Sequence, residues 1–255
     1  APGSFDDLRV YFEYLKAVTT TSSGAPKDEF NFTYDWLEWY NLSQGGVSAG
    51  YGAEWALLST TPPREIVVAY TEPNSPATEA GTDLARGATI LEIDGFDINT
   101  NTQAGVDALN AGLFPSTLGE IHDFTVRDLD GTVRQITMTS EEITSAMVQN
   151  TQVITNTSNG DAIGYMTFNF FRAPAEQALV DAINTLDAAN IDDLVLDIRY
   201  NGGGYLDIAS QLAYMIAGAG PTAGKDFETI QFNDKHPATN PVTGQALAPT
   251  PFHTT

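Results

Sequence analysis

Residues Ile191 to Asp207 read Ile-Asp-Asp-Leu-Val-Leu-Asp-Ile-Arg-Tyr-Asn-Gly-Gly-Gly-Tyr-Leu-Asp, and no other stretch restricts the fold as much. The apolar run Leu194-Val195-Leu196 closes on Asp197, Arg199 and Asn201. Three glycines, Gly202 to Gly204, follow, and then a helical pattern begins. A buried strand that breaks into a glycine turn and a helix leaves backbone N–H groups pointing outward. Such a turn can hold an anion or a developing oxyanion. Three bare glycines would serve tight helix–strand packing equally well, so the full spacing through Asp197, Arg199 and Asn201 carries the specificity. Arg199 and Asn201 read as braces of the turn rather than as substrate contacts.

The surroundings place this turn in an α/β layer. Ile163–Phe171 reads as a strand, Ala175–Ala189 as a helix with Leu179, Ile183 and Leu186 on one face, Leu194–Ile198 as a strand and Tyr205–Ala217 as a helix. Strand–helix–strand–helix implies a parallel sheet with right-handed crossovers. At the other end, Phe5, Leu8, Phe12 and Leu15 recur at helical spacing over Phe5–Val18, and Thr19–Pro26 reads as a loop. Asp35–Leu42 reads as a short helix whose Trp36, Trp39 and Tyr40 pack it on a neighbour.

From Val47 the period changes to strands at Tyr51–Leu58 and Ile66–Tyr70, then a short helix or turn over Pro73–Gly81. Asp94-Gly95 and Asp130-Gly131 between apolar runs are hairpin signals. Val106–Leu113 reads as a helix between those hairpins, and Thr139–Gly160 as a polar connector. The tail Gly218–Thr255, rich in Gly, Pro, Thr and Asn, reads as loops and short strands.

Charge and composition limit the function. Against 33 Asp+Glu stand 11 Lys+Arg, a net charge of −22, which leaves no basic patch to neutralise phosphates and excludes nucleic acid as a partner. There is no cysteine, hence no disulfide or thiol chemistry in these residues. No apolar run reaches the ~18 residues of a membrane helix. His122, His236 and His253 are scattered without metal-ligand spacing and read as surface residues. Asp128-x-Asp130-Gly131 lacks the later glutamate of a calcium loop and reads as a turn. Gly46-Val47-Ser48-Ala49-Gly50 matches the G-x-S-x-G elbow, but it is preceded by a helix and loop and followed by a strand, the wrong context for a nucleophilic Ser48. Lys16, Lys27, Lys225 and Lys235 have no partner serine at a recognisable spacing, and Lys225 and Lys235 read as exposed.

The spacing Asp197-x-Arg199-x-Asn201-x-Gly203-Gly204 resembles that of the C-terminal processing peptidases, or tail-specific proteases. Ser75-Pro76-Ala77, Gly81, Arg86-Gly87 and Ile90-Leu91-Glu92-Ile93-Asp94-Gly95 resemble the permuted PDZ domain of bacterial proteases. The implied fold mixes α/β and α+β: a helical region over 1–46, a PDZ-like β-rich domain over 47–140, and the first half of a ClpP/crotonase-like peptidase core over 141–255. By position, the resemblance makes Gly203 or Gly204 the oxyanion donor, with Gly202 standing where proline is frequent. A valine at Gly203 or Gly204 is expected to remove that donor and leave the fold intact. Gly50-Tyr51-Gly52-Ala53 is the expected carboxylate-gripping loop for the free C-terminus of a peptide, which adds a strand to the sheet edge.

The family's serine–lysine dyad lies several dozen residues beyond the motif, and no matching segment occurs by Thr255. These residues are therefore expected to be the front part of a serine endopeptidase, inactive alone. The implied partners are polypeptides with free C-termini; neither metal nor organic cofactor is implied. The opening Ala1-Pro2-Gly3 fits removal of a signal or lipid-anchor segment, or a tag scar, and export to a bacterial periplasm or envelope. The rivals are a retinoid-type apolar-ligand protein on the same core and a catalytically dead tail-binding module.

Overall fold

The structure is a computed structural model and describes residues 7–22, 24, 27, 28 and 31–254. Helix α1 spans Leu8–Leu15, capped by Asp7, whose carboxylate accepts from the Arg9 N–H at 2.7 Å. Phe5 lies outside the described residues. The apolar positions of α1 do not form a core: Leu8 and Leu15 are exposed, and Phe12 is half-buried. Helix α2 is short, Trp36–Tyr40, and continues as one π-helical turn over Asn41–Gly45. Its aromatics are not the packing residues that the sequence suggests. Trp36 is 71% exposed, and they contact one another instead, Trp36 stacked on Tyr40 at 5.3 Å and Tyr34 edge-on to Trp39 at 5.8 Å.

Strand β1 (Val47–Gly50) precedes a mixed unit built on one antiparallel sheet. Its strands are β2 (Ala53–Ser59), β3 (Glu65–Thr71), β4 (Thr89–Ile93), β5 (Phe96–Asp97), β6 (Ile121–Arg127) and β7 (Val133–Thr139), in the order β2-β3-β4-β6-β7 with β5 paired to β4. Both hairpin signals hold. Asp94 and Gly95, at φ +50° and +78°, join β4 to β5 in the left-handed geometry that such two-residue turns need. β6 and β7 pair in unbroken register from Ile121↔Thr139 to Arg127↔Val133. Helix α3 (Gln103–Leu113) begins at Thr102, whose hydroxyl accepts from Gly105 N–H, and it lies close on the sheet at Gly112, where a Cβ would sit 2.3 Å from Ile93. Ile66, Val68, Ile90, Ile93, Leu109, Phe124, Val126 and Met138 fill the core between them. β2 is the edge of the sheet, with its outer side unpaired among the described residues.

The polar connector contains two strands that alternation did not reveal, β8 (Glu141–Thr144) and β9 (Val148–Thr155). Burial explains the miss: only Ile143 of β8 is buried, and β9 is mostly exposed, so neither needs an apolar face. β8 pairs antiparallel with β1. β9 pairs antiparallel with β10 (Ala162–Phe168), which pairs in parallel with β11 (Asp193–Asp197). Helix α4 (Ala175–Ala188) connects β10 to β11, and α5 (Leu206–Ala217) follows β11. Met166, Phe168, Leu179, Leu186, Ile208 and Leu212 form a second core, with Ile183 half-buried against it. In the tail a short helix, α6 (Ala219–Thr222), and two short strands, β12 (Asp226–Glu228) and β13 (Thr250–Pro251), carry the regular structure. None of the helices is long and apolar enough to cross a membrane among the described residues.

Candidate active site

The glycine turn lies where β11 ends and α5 begins. Asp197, 8% exposed, anchors it. Its carboxylate accepts from Tyr165 OH at 2.7 Å, from Arg199 Nε at 2.9 Å and from the Arg199 N–H at 3.1 Å. The Arg199 side chain, chiefly, holds the Asp197 carboxyl well below the usual carboxylate range. Asn201 ties the turn to the next strand: Nδ2 donates to Phe168 O at 3.1 Å, and Oδ1 accepts from Gly203 N–H at 2.8 Å. Phe171 N–H donates to Gly203 O, and Tyr205 N–H donates to Phe171 O at 2.7 Å, so Phe171 and Gly204 pair as one parallel bridge. In that geometry the N–H of Gly204 faces away from Phe171, and none of the described residues accepts from it. Of the two expected donors, Gly203 is therefore spoken for and Gly204 is open. Gly204 must stay glycine, with φ +137° and a Cβ that would lie 2.1 Å from Phe171 O. This corrects the expectation that the fold ignores a side chain there.

The expected tail-binding loop is also placed at a cavity. Tyr51 O accepts from Ala77 N–H and Gly52 O from Glu72 N–H, while the N–H groups of Tyr51 and Gly52 donate to none of the described residues. Gly52, at φ +73°, packs on Ser75, and a Cβ there would lie 2.3 Å from that side chain. The Tyr51 ring is 2% exposed, edge-on to Phe124 at 5.6 Å, so this residue can offer a ligand only its backbone. A cavity of about 260 Å³ opens beside the loop, bounded by Gly50–Trp55, Leu113, Phe114 and Arg172. A second cavity of about 440 Å³ opens at Gly202–Gly204, bounded also by Trp39, Leu42 and Phe171. Leu42, Phe170 and Arg172 line both.

The other sequence candidates separate. Ser48 is exposed on β1, with a second strand rather than a helix after it, and Lys225 and Lys235 are exposed. Among the described residues no serine hydroxyl bonds to a lysine. His122 is not an ordinary surface residue: its ring, 13% exposed, meets Asp94 Oδ2 at 2.6 Å.

Sequence reasoning passed over the residues that join the two units. Arg86 Nε donates to Tyr200 OH at 2.7 Å, and Tyr70 packs on the Tyr200 ring at 5.3 Å. Glu72, buried, accepts from Ala146 N–H at 2.8 Å and Gln149 Nε2 at 2.9 Å. Burial pushes its carboxyl upward against those two bonds. Arg172 stacks over Phe170 at 4.0 Å, its pKa pulled down by burial. Arg86 and Tyr200 lay in recognised patterns without a role of their own, and the contacts of Tyr70 and Glu72 gave no local signal, since each is with a residue distant in sequence.

Residues 162–243 match peptidase family S41. This S41 segment contains β10, α4, β11, the glycine turn and α5. The chain is 30% identical over 165 residues to the chloroplastic carboxyl-terminal-processing peptidase 2 of Arabidopsis thaliana, 64% of this chain and 31% of that protein. It is 29% identical over 173 residues to a carboxyl-terminal-processing protease of Picosynechococcus, 68% of this chain and 39% of that protein. A crystallised chain from Bacteroides fragilis described as an S41 protease shares the fold with TM-score 0.58 at 21% identity, over 98% of this chain and 61% of that one. The family matched over residues 162–243 is the one that the spacing from Asp197 to Gly204 resembles, the chain spans about a third of the length of the curated relatives it matches, and the fold is the mixed architecture that the resemblance implied.

Proposed function

We propose that this chain provides the tail-gripping and oxyanion-stabilising parts of a serine endopeptidase that acts near the C-terminal tails of proteins, on the exported side of a membrane. In this reading a peptide tail adds as a strand to the open edge of β2, and its carboxylate meets the N–H groups of the Gly50–Ala53 loop. The scissile carbonyl lies at Gly204, whose N–H strengthens its bond as the oxygen gains charge in the tetrahedral intermediate. Asp197, Arg199 and Asn201 hold that N–H in place before substrate arrives. The attacking serine and its lysine base are assigned to no residue among those described. The observation that carries the proposal is the open Gly204 N–H in a turn fixed by the family motif. The two cavities beside the loops, which share Leu42, Phe170 and Arg172 as lining residues, support it.

The test is titration calorimetry of the chain with a peptide ending in a free apolar residue and with its C-terminal amide. Losing a charge-assisted hydrogen bond costs about 1.5–3 kcal/mol, roughly ten- to hundredfold in affinity. Equal binding of acid and amide rejects the tail-gripping role. The 255-residue chain alone should leave casein intact, because no serine–lysine pair occurs among its described residues.

A further inference from the structure

The cavity at the glycine turn has two kinds of wall. One is the backbone of Gly202–Gly204; the other is apolar, made by Trp39, Leu42, Phe170, Phe171 and Tyr205. These apolar groups come from three separate segments and are held in place. Gln44 Nε2 donates to Tyr205 OH at 2.7 Å, which fastens the turn after α2 to the start of α5. Phe171 stands edge-on to Phe168 at 4.6 Å, and Tyr34 supports Trp39. Trp39 is nevertheless 49% exposed, and Tyr205 42%. Half-covered aromatic surface at the mouth of a cavity gains from a further apolar group. Among the described residues that line it, Arg172 is the one that carries a charge.

We infer that this cavity is a specificity pocket for the side chain next to the scissile bond, and that it selects a large apolar side chain over small and basic ones. The inference rests on the peptidase reading of the turn: a carbonyl oxygen held at the Gly204 N–H brings its flanking side chain to the adjoining wall. About 440 Å³ is room for an aromatic ring or a leucine. Alanine would leave the indole uncovered, and lysine or arginine would meet Arg172 with like charge. The preference thus opposes the pull of a chain carrying net charge −22, which draws basic peptides from a distance. Trp39 is the specificity-determining residue, supplied by α2 from outside the segment that matches the peptidase family.

The test uses the ¹⁵N-labelled chain and blocked peptides of the form acetyl-Ala-Ala-Xaa-Ala-Ala-amide, in which Xaa is Phe, Leu, Ala or Lys. Blocking the carboxylate keeps the tail loop out of the measurement. The Phe and Leu peptides should shift both the Trp39 indole N–H and the Gly204 amide, and should bind about tenfold or more tighter than the Ala peptide. Trp39→Ala should erase the Phe preference, and Trp39→Phe should restore it. Equal binding of the Phe and Ala peptides, or a Phe preference that survives Trp39→Ala, overturns the pocket and leaves the turn untouched. Movement of Trp39 without Gly204 overturns the oxyanion reading, and with it the assignment to the scissile bond.

Discussion

Gly203 and Gly204 are neighbours in the same turn, both at positive φ, +91° and +137°, yet the structure predicts different responses to one added methyl group. Alanine at either position must adopt a backbone conformation that L-residues resist, at about 1–3 kcal/mol. At Gly203 none of the described residues lies within 4 Å of the new Cβ, so that is the whole cost. At Gly204 the Cβ falls 2.1 Å from the Phe171 carbonyl oxygen, a backbone atom that cannot swing aside. The bridge must open, which gives up Tyr205 N–H to Phe171 O and Phe171 N–H to Gly203 O. Two neutral hydrogen bonds add about 0.5–1.5 kcal/mol each, so Gly204→Ala should cost about 2–6 kcal/mol against about 1–3 for Gly203→Ala. Urea unfolding followed by circular dichroism measures both, with unchanged slopes showing that the difference lies in the native state. Equal losses for the two variants, or a milder Gly204→Ala, would mean that the bridge to Phe171 does not hold the turn.

Three further outcomes follow from the same geometry. Gly52→Ala, which would force a Cβ to 2.3 Å from Ser75, should weaken binding of a free-acid tail peptide tenfold or more, read by calorimetry, with little effect on its amide. Glu72→Ala should cost about 1–3 kcal/mol in urea unfolding because the Ala146 N–H loses its acceptor, whereas Glu72→Gln, which keeps an acceptor oxygen, should cost less. Asp197 has a depressed folded pKa, so its contribution is complete above the ordinary aspartate value and is lost as pH falls. Asp197→Asn should therefore lower the melting temperature at neutral pH and narrow its gap to the parent chain as pH drops below about 4.

The regular hairpins were legible because their turns are local: Asp94-Gly95 fixes its own backbone between β4 and β5, and Asp130-Gly131 lies between β6 and β7, where Ile136 and Met138 alternate inward. The turn from Asp197 to Gly204 was legible as a motif, yet which glycine stays open depends on Asn201 Oδ1 and on Phe171, the latter on another segment. The aromatics of α2 misled in an instructive way. Trp36 and Trp39 look like core residues by type, but Trp36 stays exposed and Trp39 borders a cavity. Contacts such as Arg86 to Tyr200 and Glu72 to Ala146 join residues 114 and 74 apart, and no periodicity announces them.

β11 pairs with β10 on one side only among the described residues, and its Val195 is 47% exposed. An open row of N–H and C=O groups beside Leu194-Val195-Leu196 is a template for a second copy. The force opposed to such pairing is colloidal: mutual repulsion between chains of net charge −22, helped by Asp192 and Asp193 at the head of the strand. That repulsion reaches about 30 Å at 0.01 M salt and about 8 Å at 0.15 M. The chain should therefore stay dispersed in dilute buffer and form edge-paired oligomers as salt rises, the reverse of the usual handling rule, and light scattering across a salt series would reveal it.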